Sequence, residues 1–169
     1  MPRRTFIAAC LALAGLTHGW ARAEHARIDL EVSSSRGQVT AHVDQTPPAT
    51  GKNPRPVLRA RVNERVRVRW MFTNVYPHKT LENVVLHFYV AREDQAGQKT
   101  LPDLSSDEAA EVETALEMTF RPGTKAGQKS TIRLDAPGVY LIRIESRETQ
   151  SDHEHFAAVD LIVEDPKAP

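Results

Sequence analysis

From Ile28 onward, apolar residues recur at every second position far more often than at helical spacing. Ile28, Leu30 and Val32 form one such set, and Val39, Ala41 and Val43 form another after the turn-like stretch Ser33-Ser34-Ser35-Arg36-Gly37. The clearest run is Val62, then Val66, Val68, Trp70 and Phe72, with Arg65, Arg67 and Arg69 between them. A period of two puts the apolar set on one face of a strand and the arginines on the other. This predicts a half-buried antiparallel strand whose long cationic stems lie over its outer face. A solvated face explains those arginines, and an anion site is the alternative. Trp70 and Phe72 read as core.

The segment 45–56 carries Pro47, Pro48, Pro54 and Pro56, which predicts a long surface loop. A strand follows over Asn83–Arg92, where Leu86, Phe88 and Val90 alternate with Val85, His87 and Tyr89. Both sets are apolar or amphipathic, so this strand is expected to be central and covered on both sides. His87 there reads as a buried, hydrogen-bonded core histidine. Over 101–113 the alternation breaks. Ser105 and Glu108 fit a capping box, predicting a short helix inserted in a crossover loop. Strand character returns at Ala115–Arg121, Pro122-Gly123 and Ala126-Gly127 read as a turn, and Ile132 and Leu134 belong to the next strand. Leu141–Ser146 and Phe156–Val163 complete the set. The expectation is an all-β fold, a single antiparallel β-sandwich of about seven to nine strands.

The first residues have the three-part design of an export signal. Arg3 and Arg4 precede an apolar run over Phe6–Leu16, and Ala21-Arg22-Ala23 offers small residues where a signal peptidase cuts. The run is shorter than the roughly 20 residues a membrane-spanning helix needs. Cleavage after Ala23 would leave a domain over 24–169, with 1–23 as the signal peptide and no membrane span after cleavage. A retained N-terminal helix is the alternative. Arg3-Arg4-Thr5-Phe6-Ile7 resembles a twin-arginine export motif, although an ordinary basic start fits as well. The expected location is periplasmic or extracellular.

Composition narrows the function classes. Lys plus Arg and Asp plus Glu both total 22, so the basic excess of a nucleic-acid binder or polybasic membrane binder is missing. Cys10 is the one cysteine and would leave with the leader, so no disulfide or thiolate ligand is expected. The chain has no Gly-x-Ser-x-Gly elbow, His-Glu-x-x-His helix or glycine-rich phosphate loop, so no catalytic residue is assigned. The best candidate site is Asp152-His153-Glu154-His155. Residues two apart on a strand point the same way, so His153 and His155 could share one ion, with Asp152 and Glu154 adding oxygen ligands or orienting the rings. Nitrogen and oxygen donors suit copper(II) or zinc. A third ligand would come from His78, His87, His42 or His25. A polar loop of exposed histidines is the plainer alternative.

Two resemblances follow. Asp135-Ala136-Pro137-Gly138-Val139-Tyr140 resembles the tyrosine corner of immunoglobulin-like sandwiches, which implies a phenol hydroxyl bonded back to main chain. The chain is also similar to cupredoxins, in which the hairpin before the last strand carries the metal ligands. By that likeness the hairpin is Arg147–His155, and His78, after Tyr76-Pro77, takes the upstream position. A blue-copper site needs a cysteine thiolate, which the mature chain lacks. The first functional expectation is a non-enzymatic binding module of the cell envelope that contacts another envelope protein, with 45–56 and 101–113 as contact segments. The alternative is a periplasmic copper or zinc binding or delivery protein. A metal-dependent enzyme with the same ligands is a third.

Overall fold

Alternation of the kind described above can bury only one face of a strand, so two sheets must meet face to face. The computed structural model describes residues 26–42, 55–97, 110–147 and 155–165. Nine strands form there: β1 (Ala26–Ser34), β2 (Gly37–His42), β3 (Val57–Arg61), β4 (Val66–Asn74), β5 (Leu81–Glu93), β6 (Ala110–Phe120), β7 (Lys125–Ile132), β8 (Gly138–Arg147) and β9 (His155–Glu164). A front sheet has the order β2-β1-β4-β7 and a back sheet the order β3-β9-β8-β5-β6. All neighbours are antiparallel except β3 and β9, which run parallel. The chain is an all-β, sandwich-like fold. Among the described residues there is no helix, and none is long and apolar enough to cross a membrane.

The core lies between the sheets. The front sheet contributes Ile28, Leu30, Val32, Val68, Trp70 and Phe72, all nearly or fully buried. The back sheet answers with Leu86, Phe88, Val90, Ile142, Ile144, Val159 and Leu161. The Phe72 and Phe120 rings meet at 4.5 Å between centroids. Each large side chain buried this way stabilises the fold by about 1.5–3 kcal/mol before conformational entropy is charged against it.

Three sequence expectations need correcting. Val62 is not part of the β4 run. It starts the turn after β3, where Asn63 takes a positive φ of 62°. Asn accepts that left-handed backbone more readily than most residues. Ala126 and Gly127 do not form a turn but lie within β7, which ends at Ile132 and leaves Leu134 outside any strand. Gly127 pairs with Met71, and a Cβ there would stand 2.3 Å from the Trp70 carbonyl oxygen, so this glycine serves close strand approach. The expected helical insertion over 101–113 overreaches at its end, because 110–113 belong to β6. Residues 101–109, with Ser105 and Glu108, lie outside the described residues. So do 43–54 of the proline-rich segment, and the leader.

Candidate functional site

One end of the sandwich gathers the histidine-bearing segments. Ala26 pairs with Asn74, Leu86 with Ser146, and Ser146 with His155. The start of β1, the connection from β4 to β5 and the facing ends of β8 and β9 therefore share that end. Asn74 fixes the connection: its buried amide donates to the Lys79 and Phe120 carbonyls at 2.8 and 2.9 Å, and its carbonyl accepts from the Tyr76 N–H at 3.0 Å. His78 is exposed on that connection. His155 is fully buried and shares the inward parity of Ala157 and Val159. Asp152, His153 and His25 lie outside the described residues. His42 is exposed, with Nδ1 2.6 Å from Asp29. No three His, Cys, Asp or Glu side chains are placed together so as to hold a metal ion among the described residues.

His87 lies on the outer side of the back sheet, and a network surrounds it. On β5 and β8, His87 pairs with Glu145 and Tyr89 with Arg143, all facing outward. The buried Glu145 carboxylate receives Arg143 at 2.6 Å and Arg147 at 2.6 Å, and His87 Nδ1 lies 3.3 Å from it. His87 Nε2 meets Glu113 on β6. The Arg143 guanidinium stacks over Phe156 at 4.6 Å and Tyr89 at 5.6 Å, so its charge is shared between a carboxylate and two rings. Burial pushes the Tyr89 phenol well above its ordinary value, outweighing the opposing pull of Arg143. Five apolar residues, Tyr89, Ala91, Leu141, Phe156 and Ala158, form a second core cluster on this face.

Nearby, Arg55 joins three segments. Its guanidinium binds both carboxylate oxygens of Glu93 at 2.8 and 2.9 Å, and its Nε donates to Asp160 at 2.6 Å. Asp160 also accepts the Gly97 N–H. The side chains of Arg55, Glu93 and Asp160 are 6, 2 and 0% exposed, so this is an interior ion cluster. Desolvation raises the Glu93 carboxyl above its usual value despite the guanidinium beside it. Forked arginine geometry satisfies several carboxylate lone pairs at once, as burial requires. No sequence motif marks this cluster, since its members stand at positions 55, 93 and 160. Its signal was present: Asp160 stands in the apolar run Val159–Val163, and a charge there is stable only when paired.

The front sheet uses its charges differently. Arg67 and Arg69 on β4 and Lys129 on β7 point outward and are exposed. None is in an ion pair or side-chain hydrogen bond among the described residues. Arg69 stands directly opposite Lys129. A groove of about 430 Å³ runs over these side chains and includes Glu31, Ser33, Gln38 and Thr131. A second depression of about 280 Å³ continues past Arg65 and shares Ser33 and Arg67 with the first. The neighbouring acids are mostly engaged. Glu64 loses some hydration, which raises its pKa, but the N–H donors of Ser35 and Arg61 outweigh this and hold it below its usual value. Asp29 is likewise lowered: partial desolvation opposes, while Arg27 and His42 prevail.

Neither a family model nor the sequence of a curated protein matches this chain. Among solved structures, the C-terminal domain of Wzt is similar at 14% identity and a TM-score of 0.45, covering 86% of this chain and 82% of that one. The soluble domain of PmoD from Methylocystis is similar at 15% identity and a TM-score of 0.41, covering 81% and 90%. A family 123 glycoside hydrolase from Clostridium perfringens is similar at 11% identity and a TM-score of 0.43, covering 84% of this chain and 28% of that one.

Proposed function

We propose that this chain is an exported, non-enzymatic accessory module of the cell envelope that works by binding another protein. The observation that carries this reading is the front-sheet groove, where Arg67, Arg69 and Lys129 are held on paired strands and form no ion pair among the described residues, although Glu31 lines the same groove. Exposed charges fixed on a packed scaffold are suited to recognition, since little ordering is lost on contact. The leader over 1–23 supports export. The Tyr140 hydroxyl donates to the Ala136 carbonyl at 2.9 Å, which supports an immunoglobulin-like assignment of the sandwich. A photo-crosslinking residue at position 131, in living cells, tests the reading. One discrete adduct that disappears in the Arg67→Gln/Arg69→Gln variant is expected. No adduct, or one indifferent to that variant, overturns it.

The second reading is copper or zinc binding by His153 and His155, with Asp152 and His78 as further ligands. What supports it is the shared end of the sandwich occupied by His78 and by the start of β9. Calorimetric titration of the protein, made without a histidine tag, should show one-to-one uptake that His153→Ala and His78→Ala both weaken. Uptake unchanged in both variants removes this reading.

A further inference from the structure

Four neighbouring cations, Arg65, Arg67, Arg69 and Lys129, outnumber the two acids that line the same depressions, Glu31 and Glu64, and none of the four is in an ion pair among the described residues. Like charges directly opposite on adjacent antiparallel strands destabilise the pair, and Arg69 and Lys129 are such a pair. Glu31 lies beside Arg69 on β1, yet it is not in an ion pair with it. Asp29 is taken by Arg27 and His42, and Glu64 by main-chain donors. The local balance is therefore positive on a protein whose formal net charge is zero.

We infer that this track along β4 holds an extended acidic segment of the partner protein, its alternate carboxylates lying over Arg65, Arg67 and Arg69 with Lys129 alongside. The inference rests on the binding-module reading and names the chemistry of the partner. Arg67 and Arg69 stand two positions apart on β4, and Arg65 is the residue just before that strand. On a strand, that spacing is about 6.6–6.8 Å, and an extended peptide repeats its own alternate side chains at the same distance. Register between the two chains is thus kept over several charges, which a compact anion cannot use. The two depressions adjoin one another, since Ser33 and Arg67 line both. The Ser33 and Thr131 hydroxyls flank Arg67 on β1 and β7 and add neutral donors on either side of the carboxylate row. A glycan chain fits less well. A sugar's apolar face needs a flat ring to rest on, and the strand residues on this outer face include no Phe, Tyr or Trp. Trp70 faces the core and is 3% exposed.

The test is fluorescence anisotropy with a labelled dodecapeptide of alternating Glu and Thr, at about 50 mM salt where screening is weak. Saturable binding is expected. Arg67→Gln/Arg69→Gln should weaken it about tenfold or more, as expected for losing two charge-assisted contacts. Arg121→Gln/Lys79→Gln removes the same charge from exposed positions off the track and should leave the affinity within about twofold. Equal losses in the two double variants overturn the proposal by reducing it to net charge. So does track-dependent binding of heparin or of phosphatidylglycerol vesicles when the peptide does not bind. If the peptide fails but the position 131 adduct persists and still depends on Arg67 and Arg69, the acidic segment is refuted while the binding-module reading stands.

Discussion

On the outer face of the back sheet, the buried Arg55 and Arg143 each reach a carboxylate. On the front sheet, Arg67, Arg69 and Lys129 reach none among the described residues. The residue types are the same, and the difference is burial. Where the outer face is covered, an unpaired charge would cost several kcal/mol, so each buried guanidinium has a carboxylate and Arg55 serves two. Where the face is open, water solvates each cation and no internal partner is needed. Charge pairing on the back sheet is therefore a condition of folding. Charge exposure on the front sheet is compatible with folding but is not required by it, which leaves those residues available for contact.

The largest expected effect breaks the first half of that comparison. Arg55→Met leaves Glu93 and Asp160 buried without their cation and should cost about 3–5 kcal/mol, read from the urea midpoint. Replacing all three together, with leucine for the two acids, should recover most of that loss. Large-to-apolar replacement of a whole buried ion cluster is often neutral or better. If Arg55→Met costs less than about 1 kcal/mol, the cluster is solvated and the contrast between the faces is lost.

Glu145→Gln comes next. It keeps the shape but removes the anion that Arg143, Arg147 and His87 share, so about 2–3 kcal/mol should be lost. A loss as small as that of an exposed front-sheet substitution would show that Arg143 is held by its stacking on Phe156 and Tyr89 instead.

Acid titration sharpens the comparison through opposite signs. The Glu93 carboxyl is raised above 4.5 in the fold, chiefly by desolvation. Between that usual value and its raised one, the folded state binds more protons than the unfolded chain, so Glu93 makes stability fall as pH rises. Asp29 and Glu64, on or beside the front sheet, are lowered from 3.8 and 4.5. Their contributions are present above those values and are lost as pH falls through the lowered ones. Glu93→Gln should therefore flatten the decline above pH 4.5, and Asp29→Asn should flatten the decline below pH 3.8. The same sign from both variants would contradict this account.

Much of the fold could be read from alternation, because a strand with one open face writes its burial directly into the sequence. Val66, Val68, Trp70 and Phe72 are buried and Arg65, Arg67 and Arg69 exposed, as period two requires. His87 is buried and bonded on both nitrogens' sides, in keeping with its place among apolar residues. What failed to show was set by partners distant in sequence. β3 was hidden beside a proline-rich stretch, and its pairing with β9 crosses about a hundred residues, as the match of Val57 to Asp160 illustrates. Gly127 looked like a turn because sequence cannot show that the Trp70 carbonyl approaches it. The Arg55 cluster joins positions 55, 93 and 160, none informative about the others. On the histidine site the outcome is divided: His78 is exposed and His155 is enclosed, while Asp152 and His153 lie outside the described residues.

The smallest expected effect on stability bears most directly on function. Arg69→Thr places a residue of high strand propensity opposite Lys129 and removes the like-charge contact. The fold should be unchanged or gain about 0.2–1 kcal/mol, visible as a slightly higher melting temperature. The same variant should lose affinity for the acidic peptide. A residue that a protein keeps at a small cost to its own stability is held for something outside the fold, since stability alone favours its replacement. If Arg69→Thr instead destabilises by more than about 1 kcal/mol, Arg69 belongs to the fold as Arg55 does. The front sheet would then be a second structural face, and its cations would no longer point to a partner.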